Sequence, residues 1–369
     1  MTDPPASYAS AGVDIAAGDR AVERIRDLVA STARPEVLGG IGGFGGCFAF
    51  DTSRYRSPVL VSSTDGVGTK VFVARATGRF ESVGIDLVAM CVDDLVCVGA
   101  EPLFLLDYVV SGKLVPDQME ALVTGVADGC RQAGCALLGG EMAEHPGAMG
   151  PGEFDLAGFA VGAVERDAML GSQRVAVGDV LIGLVSPGLR SNGYSLARHV
   201  LLERAGRSLD EPAWVGADHS LADELLRPSV VYARAVLAAL ATGAVHAAAH
   251  ITGGGITGNV ARVLPAGCDA VVERSRFRTP AIFSEIQRLG DVDDDEMARV
   301  FNLGIGMVLV VGADGTAGVD ADGTAGADAV VEALAGAGQE ATVVGRIVEG
   351  SGRVQIVPGG PGQPRDPGR

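Results

Sequence analysis

The stretch Val59 to Lys70, VLVSSTDGVGTK, brings together residue types that bind metals and phosphates. Its first three residues are apolar and predict a buried strand. Asp65 follows that strand, two glycines come next, and Thr69 and Lys70 close the stretch. A carboxylate at a strand end can bind a divalent cation, and the N–H groups, hydroxyl and ammonium beyond it can bind phosphate oxygens. The order Thr-Lys excludes a Walker A loop, and an ordinary strand with a glycine turn remains the alternative interpretation.

A second group of acids lies in the apolar segment Glu81 to Gly99, which predicts a buried helix. Asp86 and Asp93 are seven positions apart and share one helix face, with Asp94 beside them. Buried acids are rare unless they pair with a cation or bind a metal. We therefore expect Asp94 to contact a metal or a ligand. The alternative is that these acids cap helix ends or face solvent.

Glycine-rich loops recur along the chain. Gly39 to Gly46 holds six glycines in eight residues, with Ile and Phe between them. This composition fits a loop that folds over a nucleotide at least as well as a flexible linker, which is usually serine-rich. Ser186 to Gly193 and Thr252 to Gly255 each lie between a predicted strand and a predicted helix. A glycine loop that opens a helix after a strand can bind an anion.

Three further polar residues lie beside these loops. Glu141 follows the apolar strand CALLGG and therefore repeats the pattern of an acid at a strand end. His145 follows an acid-rich loop, and His250 directly precedes the TGGG loop. The sequence leaves functional and structural roles open for both histidines.

Length and composition narrow the class of protein. The 369 residues predict about two domains at roughly 150 residues each. A net charge of -17 argues against nucleic-acid or membrane-surface partners, because both are polyanions. The N-terminus lacks the features of a signal peptide, and no apolar run approaches the ~20 residues of a membrane span. The six cysteines form no CxxC pair, so we expect small buried side chains and a cytoplasmic protein.

Strand and helix patterns alternate along both halves, which predicts the α/β class with two α/β domains, each a mixed sheet packed with helices. We place the N-terminal domain at residues 1–170 and the C-terminal domain at residues 171–350. The glycine- and proline-rich residues 351–369 predict a disordered tail. The N-terminal half has several predicted strands and few helices to cover them, so its sheet needs further burial.

In combination the motifs resemble one enzyme family, phosphoribosylformylglycinamidine cyclo-ligase, also called aminoimidazole ribonucleotide synthetase. The resemblance spans roughly residues 7 to 348. It is carried by the segments SYASAGVDIAAGD, GGIGGFGG, DGVGTK, GIDLVAMCVDDLVCVGAEPLFLLDY, GGEMAEHPG, GLRSNGYSLARHVL, HITGGGITGNVARVLP and FNLGIGMV.

The resemblance implies a homodimer that forms through an N-terminal ATP-binding domain. It also implies that the enzyme uses ATP and Mg²⁺ to close the imidazole ring of a purine precursor. Transfer of the γ-phosphoryl group to an amide oxygen gives an iminophosphate, and the substrate's own nitrogen then attacks and expels phosphate. Such chemistry depends on positioning and charge neutralisation more than on a protein nucleophile.

Each role implied by the resemblance falls on residues of this sequence. Catalysis is expected of Lys70, Asp94, Arg190 and His250. The nucleotide is expected to contact Gly42, Gly43, Phe44, Asp65, Gly66, Gly68, Thr69 and Lys70. The substrate is expected at Ser191, Asn192, Thr252, Gly253 and Gly254, and Mg²⁺ at Asp65, Asp94 and Glu141.

The sequence departs from the family pattern at four positions. Arg190 replaces a usual His, Met142 a Thr, Asp93 an Asn and Arg26 a Lys. Arg190 stays protonated and cannot act as a base, so we predict that it holds a phosphate group electrostatically. The alternative is an Arg190 side chain that points to solvent.

Two other functions remain open at this point. One is a paralogue that performs a related ATP-driven cyclisation or dehydration on another substrate. The other is a non-catalytic ATP-binding dimer.

Overall fold

A computed structural model describes residues 6–8, 10–312 and 325–358. The predicted surface loop between Gly312 and Ala327 therefore lies largely outside the described residues. Within the described part of the chain, no helix is both long and apolar enough to cross a membrane.

The first half of the chain forms a mixed four-stranded sheet in the order β3-β6-β4-β5. The pairs β3–β6 and β6–β4 are antiparallel, and β4–β5 is parallel. A small antiparallel hairpin, β1–β2, precedes the sheet and flanks the glycine-rich loop. The strands are β1 (Val37–Leu38), β2 (Cys47–Phe48), β3 (Pro58–Gly66), β4 (Glu101–Ser111), β5 (Ala136–Glu144) and β6 (Phe154–Glu165).

Helices cover one face of this sheet. They are α1 (Ile15–Ala30), α3 (Glu81–Cys97) and α4 (Pro116–Ala133), while the short helix α2 (Val71–Thr77) follows the end of β3. The helix α3 is buried on nearly all sides, as its apolar sequence predicts. It lies close against α4, and this contact requires glycine at position 125, because a Cβ there would overlap the Glu81 carbonyl oxygen. The helix α1 begins earlier than its apolar pattern indicates, because the Asp14 side chain accepts a hydrogen bond from Ala17 N.

The opposite face of the N-terminal sheet stays open. Residues alternate between buried and exposed along most of β6, as expected for a strand with one covered face. Large apolar side chains on the open face remain exposed, with Leu60 at 65%, Phe159 at 42% and Tyr108 at 39%. An apolar sheet face of this kind is typical of an interaction surface.

The second half forms a mixed six-stranded sheet in the order β12-β9-β11-β7-β10-β8. Within this second sheet, β12–β9 is the one parallel pair among the described strands. The strand β10 is buried along its whole length. The strands are β7 (Val180–Val185), β8 (Val245–His250), β9 (Cys268–Glu273), β10 (Ile305–Val311), β11 (Ala341–Glu349) and β12 (Val354–Val357).

Seven helices accompany this sheet in the described residues. They are α5 (Tyr194–Arg198), α6 (Leu221–Leu225), α7 (Ala233–Leu240), α8 (Gly255–Val260), α9 (Ala281–Gly290), α10 (Asp294–Val300) and α11 (Ala325–Gly336). A π-helical turn at His199–Arg204 continues α5. Pro228 predicts a break in the helical pattern of Leu221 to Leu240, and the break is confirmed, since α6 ends at Leu225 and α7 begins at Ala233.

These elements confirm the α/β class with two mixed sheets, and three local predictions need correction. The prediction of a disordered tail is wrong for Val354–Val357, because these residues form the strand β12, which pairs with β9. Cys47 is exposed rather than buried, since it lies in the short hairpin at the surface. The apolar residues Phe301 to Val311 predict one strand, but the strand begins only at Ile305, after a turn with Leu303 and Gly304 at positive φ. The domain boundary at residue 170 stays a prediction.

Candidate active site

Residues 65–69 of the DGVGTK segment line a cavity between the two domains. The strand β3 ends at Gly66, a 3₁₀ turn covers Gly68–Lys70, and α2 follows directly. Gly68 has φ 66°, in the region that favours glycine. Asp65, Gly66, Gly68 and Thr69 line a cavity of about 650 Å³. We call it the Asp65 cavity.

The second domain contributes Ser191 and Asn192 to the Asp65 cavity. The structure therefore brings the predicted nucleotide loop and two predicted substrate residues to one place. The Thr69 and Ser195 hydroxyls lie 3.1 Å apart across the domain interface. The Gly253 Cα also lies near the Asn192 amide, so the TGGG loop approaches this edge. In that loop Gly254 and Gly255 have positive φ, and Asn259 donates a hydrogen bond to the Gly255 carbonyl (2.9 Å).

Asp94 lies in a neighbouring cavity of about 510 Å³, which we call the Asp94 cavity. Its Oδ1 is 2.9 Å from His250 Nδ1, and its Oδ2 accepts a hydrogen bond from Ser63 Oγ (3.3 Å). Burial opposes ionisation, but His250 and Ser63 together lower the pKa of Asp94. Arg262 lines the same cavity. Asp94 is therefore a carboxylate held in place by protein donors and open to a cavity.

Asp65 and Asp94 influence each other electrostatically. Burial raises the pKa of Asp65, and the charge of Asp94 raises it further, while the hydrogen bond from Gly66 N lowers it. Two nearby carboxylates without a shared cation are a favourable arrangement for binding a divalent metal. Among the described residues, however, no three His, Cys, Asp or Glu side chains are placed to hold one ion.

Glu141 lies apart from this pair. It lines a third cavity of about 250 Å³ together with Gly42, Gly43 and Met142. We call it the Asp107 cavity, because the Asp107 carboxyl also faces it. The predicted set of three metal ligands is thus divided between cavities.

Phe44 differs from the other predicted nucleotide residues, because its side chain is fully exposed to solvent. Its role and those of the loop glycines stay predictions.

Lys70 is fully buried and does not line any of the three cavities. Its ammonium lies 2.6 Å from Asp86 Oδ2 and donates hydrogen bonds to the carbonyl oxygens of Arg190 (3.1 Å) and Arg227 (2.8 Å). Burial lowers the pKa of Lys70, while Asp86 opposes that effect. The Asp86 Oδ1 also accepts hydrogen bonds from the Ser229 backbone and hydroxyl. The ion pair lies within the N-terminal half, and its hydrogen bonds to Arg190, Arg227 and Ser229 join it to the C-terminal half.

Arg190 is also buried, with 2% of its surface exposed, so the alternative of a solvent-facing side chain is wrong. Its Nη2 donates to Asp93 Oδ2 (2.8 Å) and lies 2.9 Å from His250 Nε2. Its Nη1 donates to the Val230 carbonyl (2.8 Å). The guanidinium also lies 4.8 Å from the centre of the Tyr232 ring. Both terminal nitrogens are thus bound to protein atoms, and a phosphate contact stays a prediction.

The Arg190 contact fixes the hydrogen-bonding role of His250. A guanidinium has no acceptor, so His250 Nε2 accepts in this contact. The ring proton then belongs to Nδ1, which donates to Asp94. Arg190 itself has φ 66°, a strained conformation for a residue with a side chain, and such strain often occurs at functional sites.

The acids of α3 have two different roles. Asp86 and Asp93 are fully buried and paired, so the alternative that they cap helix ends or face solvent is wrong for them. Asp93 Oδ1 accepts a hydrogen bond from Tyr232 N (2.9 Å), which also crosses to the C-terminal half. Burial raises the pKa of Asp93, and the charge of Arg190 and the hydrogen bond from Tyr232 N oppose this.

Sequence reasoning missed Asp107, Asn259 and Arg262 as cavity residues. Asp107 offered a signal, since it is an acid within an apolar strand. Asn259 and Arg262 offered none, because polar residues after a glycine loop are common in surface helices. His145 lies in an exposed turn, where its backbone N–H donates to the Ser111 carbonyl (2.8 Å).

The two mixed sheets and the carboxylate-lined cavities between them define a two-domain α/β enzyme with its candidate site at the domain interface. Residues 51–164 match the N-terminal domain of AIR synthase related proteins, and residues 176–357 match their C-terminal domain. The chain belongs to the AIR synthase family of phosphoribosylformylglycinamidine cyclo-ligases, which are ligases.

Curated relatives carry the name phosphoribosylformylglycinamidine cyclo-ligase. The one from Anaeromyxobacter dehalogenans is 54% identical over 344 residues, which are 93% of this chain and 96% of the relative. The one from Myxococcus xanthus is 50% identical over 95% of this chain and 98% of the relative. The one from Trichlorobacter lovleyi is 48% identical over 94% and 96% of the two chains.

Two solved structures show the same fold at low sequence identity. Thiamine-monophosphate kinase from Stenotrophomonas maltophilia has a TM-score of 0.62 at 20% identity, and the match covers 90% of this chain and 95% of that one. The hydrogenase maturation protein HypE, in complex with ATP, has a TM-score of 0.61 at 16% identity and covers 90% of both chains.

Proposed function

We propose that this enzyme catalyses the ATP-dependent closure of the imidazole ring in purine biosynthesis, with formylglycinamidine ribonucleotide as substrate and aminoimidazole ribonucleotide as product. The observation that carries this proposal is the Asp65 cavity. There the segment Asp65 to Thr69 of the N-terminal half faces Ser191 and Asn192 of the C-terminal half. A phosphate donor and an acceptor bound from opposite walls would meet in this space. The names of relatives with 48–54% identity support the same substrate.

The reaction that we propose proceeds through a phosphorylated amide. The γ-phosphoryl group passes from ATP to the amide oxygen of the substrate and converts a poor leaving group into a good one. A nitrogen of the substrate, which becomes part of the ring, then attacks the amide carbon, and the carbon–oxygen bond breaks to release phosphate. The protein supplies orientation and charge neutralisation rather than a nucleophile.

Asp65 and Asp94 are the proposed ligands of Mg²⁺. Asp65 has no cationic partner among the described residues, and the pKa of Asp94 is lowered, so both carboxylates suit a hard divalent ion. The ion would neutralise charge on the transferring phosphoryl group. Glu141 lies in another cavity, and we propose a separate contact for it.

Arg190 and Lys70 are proposed as positioning residues rather than direct phosphate ligands. Arg190 holds His250 so that its Nδ1 donates to Asp94, which orients the carboxylate towards the cavity. Lys70 fixes the end of the DGVGTK segment by binding two carbonyl oxygens of the C-terminal half. Ser191, Asn192, Thr252, Gly253 and Gly254 remain the proposed substrate contacts.

The experiment that tests the activity is a phosphate-release assay with ATP and formylglycinamidine ribonucleotide, with the product identified by mass. We expect one phosphate released per ring closed. ATP turnover with another cyclisable amide, but not with this substrate, would favour a paralogue that acts on a different substrate. Met142 and Arg190, which differ from the family pattern, motivate this alternative. Nucleotide binding without turnover of any substrate would favour a non-catalytic dimer.

We also propose that two copies associate through the open face of the N-terminal sheet. The exposed side chains of Leu60, Tyr108 and Phe159 form an apolar surface there, and a symmetric dimer would bury it. Sedimentation at micromolar concentration should show a dimer, and Phe159→Lys should shift it towards monomer. A wild-type monomer under these conditions would refute this interface.

A further inference from the structure

Asp107 occupies an unusual position in the middle of the N-terminal sheet. Its neighbours across the sheet are Gly158 on β6 and Gly140 on β5. The carboxyl lies directly against Gly140, where a Cβ would overlap Asp107 Oδ1. Glycine at this position therefore leaves room for the carboxyl group.

The Asp107 carboxyl faces the cavity named after it, and the cavity walls are apolar. The walls include Val22 and Ile25 of α1, Ile41 of the glycine-rich loop and Leu137 of β5. No lysine or arginine lies among the residues that line the cavity. The volume of about 250 Å³ is near the lower end for small-molecule pockets.

Within the described part of the chain, no other residue donates a hydrogen bond to the Asp107 carboxyl. A carboxyl in apolar surroundings with only its own backbone N–H as donor is costly, and burial raises the pKa of Asp107 to about 7. The other ionisable group that lines the cavity is the carboxylate of Glu141. It carries no cation that could pair with an ionised Asp107.

We propose that Asp107 recognises the 6-aminopurine edge of the nucleotide base, with the ring inside the Asp107 cavity. An adenine ring is flat and apolar on both faces, which suits walls of valine, isoleucine and leucine. Its exocyclic amino group donates to a carboxyl oxygen, and its N1 accepts from the carboxyl O–H when the group is protonated. The absence of basic lining residues makes this cavity unsuited to the phosphates.

The glycine-rich loop supports this placement. Gly42 and Gly43 line the same cavity, so the loop forms part of its wall. Gly42 has φ 104°, which favours glycine and lets the backbone lie close to a bound ring. The inference rests on the proposed use of ATP, and it assigns selection of the adenine base to Asp107.

The test is a base-specificity switch measured by equilibrium binding, with no turnover required. Wild-type protein should bind ADP at least about 10-fold more tightly than the diphosphate of purine riboside, because that base lacks the 6-amino donor. Asp107→Ala should remove this preference, since alanine can neither accept from the amino group nor donate to N1. Asp27→Ala, the same change at an exposed site on α1, should leave the preference unchanged.

A second measurement uses wild-type protein alone and does not depend on the folding of a variant. ADP with two methyl groups on the 6-amino nitrogen should bind about 10-fold or more weakly than ADP, because the donor is lost and the ring edge is enlarged. If ADP binds, the methylated base binds equally well and Asp107→Ala leaves the preference unchanged, the base assignment is refuted while ATP use stands. If no adenine nucleotide binds to wild-type protein, both the assignment and the proposed ATP use fail.

Discussion

The domain interface and the walls of the interdomain cavities use acidic side chains in different ways. At the interface, Asp86 and Asp93 are fully buried, and each forms an ion pair with a buried cation. In the cavities, Asp65 and Asp94 retain contact with open space. Asp93 and Asp94 are adjacent in the chain, so a rotation of about 100° around the helix separates the two uses. The comparison shows that the partner of a carboxylate, rather than its position on a buried helix, distinguishes structural acids from candidate ligands.

Removing the Asp93 carboxylate should have the largest effect on stability. In Asp93→Ala the buried Arg190 loses its ion-pair partner, and an uncompensated buried charge costs about 3–5 kcal/mol. We expect a fall of that size in the free energy of unfolding, measured by urea denaturation. The control is Asp94→Asn, which keeps the shape of a partly exposed carboxylate. A similar loss in both variants would contradict the distinction between the two regions.

Asp65→Asn should lower activity strongly and leave stability nearly unchanged, in contrast to Asp93→Ala. We expect ATP turnover at limiting Mg²⁺ to fall on the order of 100-fold, because a metal ligand is lost. The free energy of unfolding should stay within about 1 kcal/mol of wild type, since Asp65 lies in no ion pair. Phosphate release at several Mg²⁺ concentrations provides the measurement. Normal turnover at limiting Mg²⁺ would show that Asp65 does not bind the metal.

Arg190 belongs to both regions, because it pairs with Asp93 and also contacts His250. Arg190→Ala should lower activity on the order of 10-fold, or ~1.4 kcal/mol. The nitrogen-15 chemical shifts of His250 should also change, because Nε2 loses the donor that fixes its tautomer. Arg190→Lys, which keeps a donor, serves as the control. Unchanged kinetics together with an unchanged His250 tautomer would rule out the positioning role.

Asp107→Asn should raise rather than lower stability, and the gain should depend on pH. The folded pKa of about 7 lies above the ordinary value of an aspartate, so the folded state holds a proton that the unfolded state releases. The contribution to stability is therefore fully present at low pH and is lost as pH rises through 7. The variant lacks this penalty and should be more stable than wild type at pH 8, by up to about 4 kcal/mol for a shift of about three pKa units, with little difference at pH 4. Equal pH dependence of unfolding in the two proteins would show that Asp107 is not the responsible group.

Much of the fold followed from local patterns. The spacing of seven positions between Asp86 and Asp93 predicted a shared helix face, and the apolar character of Glu81 to Gly99 predicted a buried helix. The α/β class with two mixed sheets and the family membership are confirmed. These predictions succeeded because they depend on residues close together in the chain.

The contacts within the site could not be predicted in the same way. Arg190 reaches Asp93 from a position 97 residues away, so neither its burial nor its partners can be read from the loop that carries it. Lys70 shows the same limit, because its sequence context resembles a phosphate loop while its ammonium points to Asp86. Asp107 stood out as an acid in an apolar strand, but its cavity depends on α1 and on a glycine far along the chain.

The hydrogen bonds of Lys70 also limit how easily the two halves of the chain can move apart. Its ammonium holds two carbonyl oxygens of the C-terminal half while paired to Asp86, which itself accepts two hydrogen bonds from Ser229. A hinge opening of the two halves would expose all of these groups at once, and such a step is rare compared with loop motion. Ligands should therefore enter by displacement of surface loops, and amide hydrogens near Ser229 should exchange as slowly as those of the sheet cores.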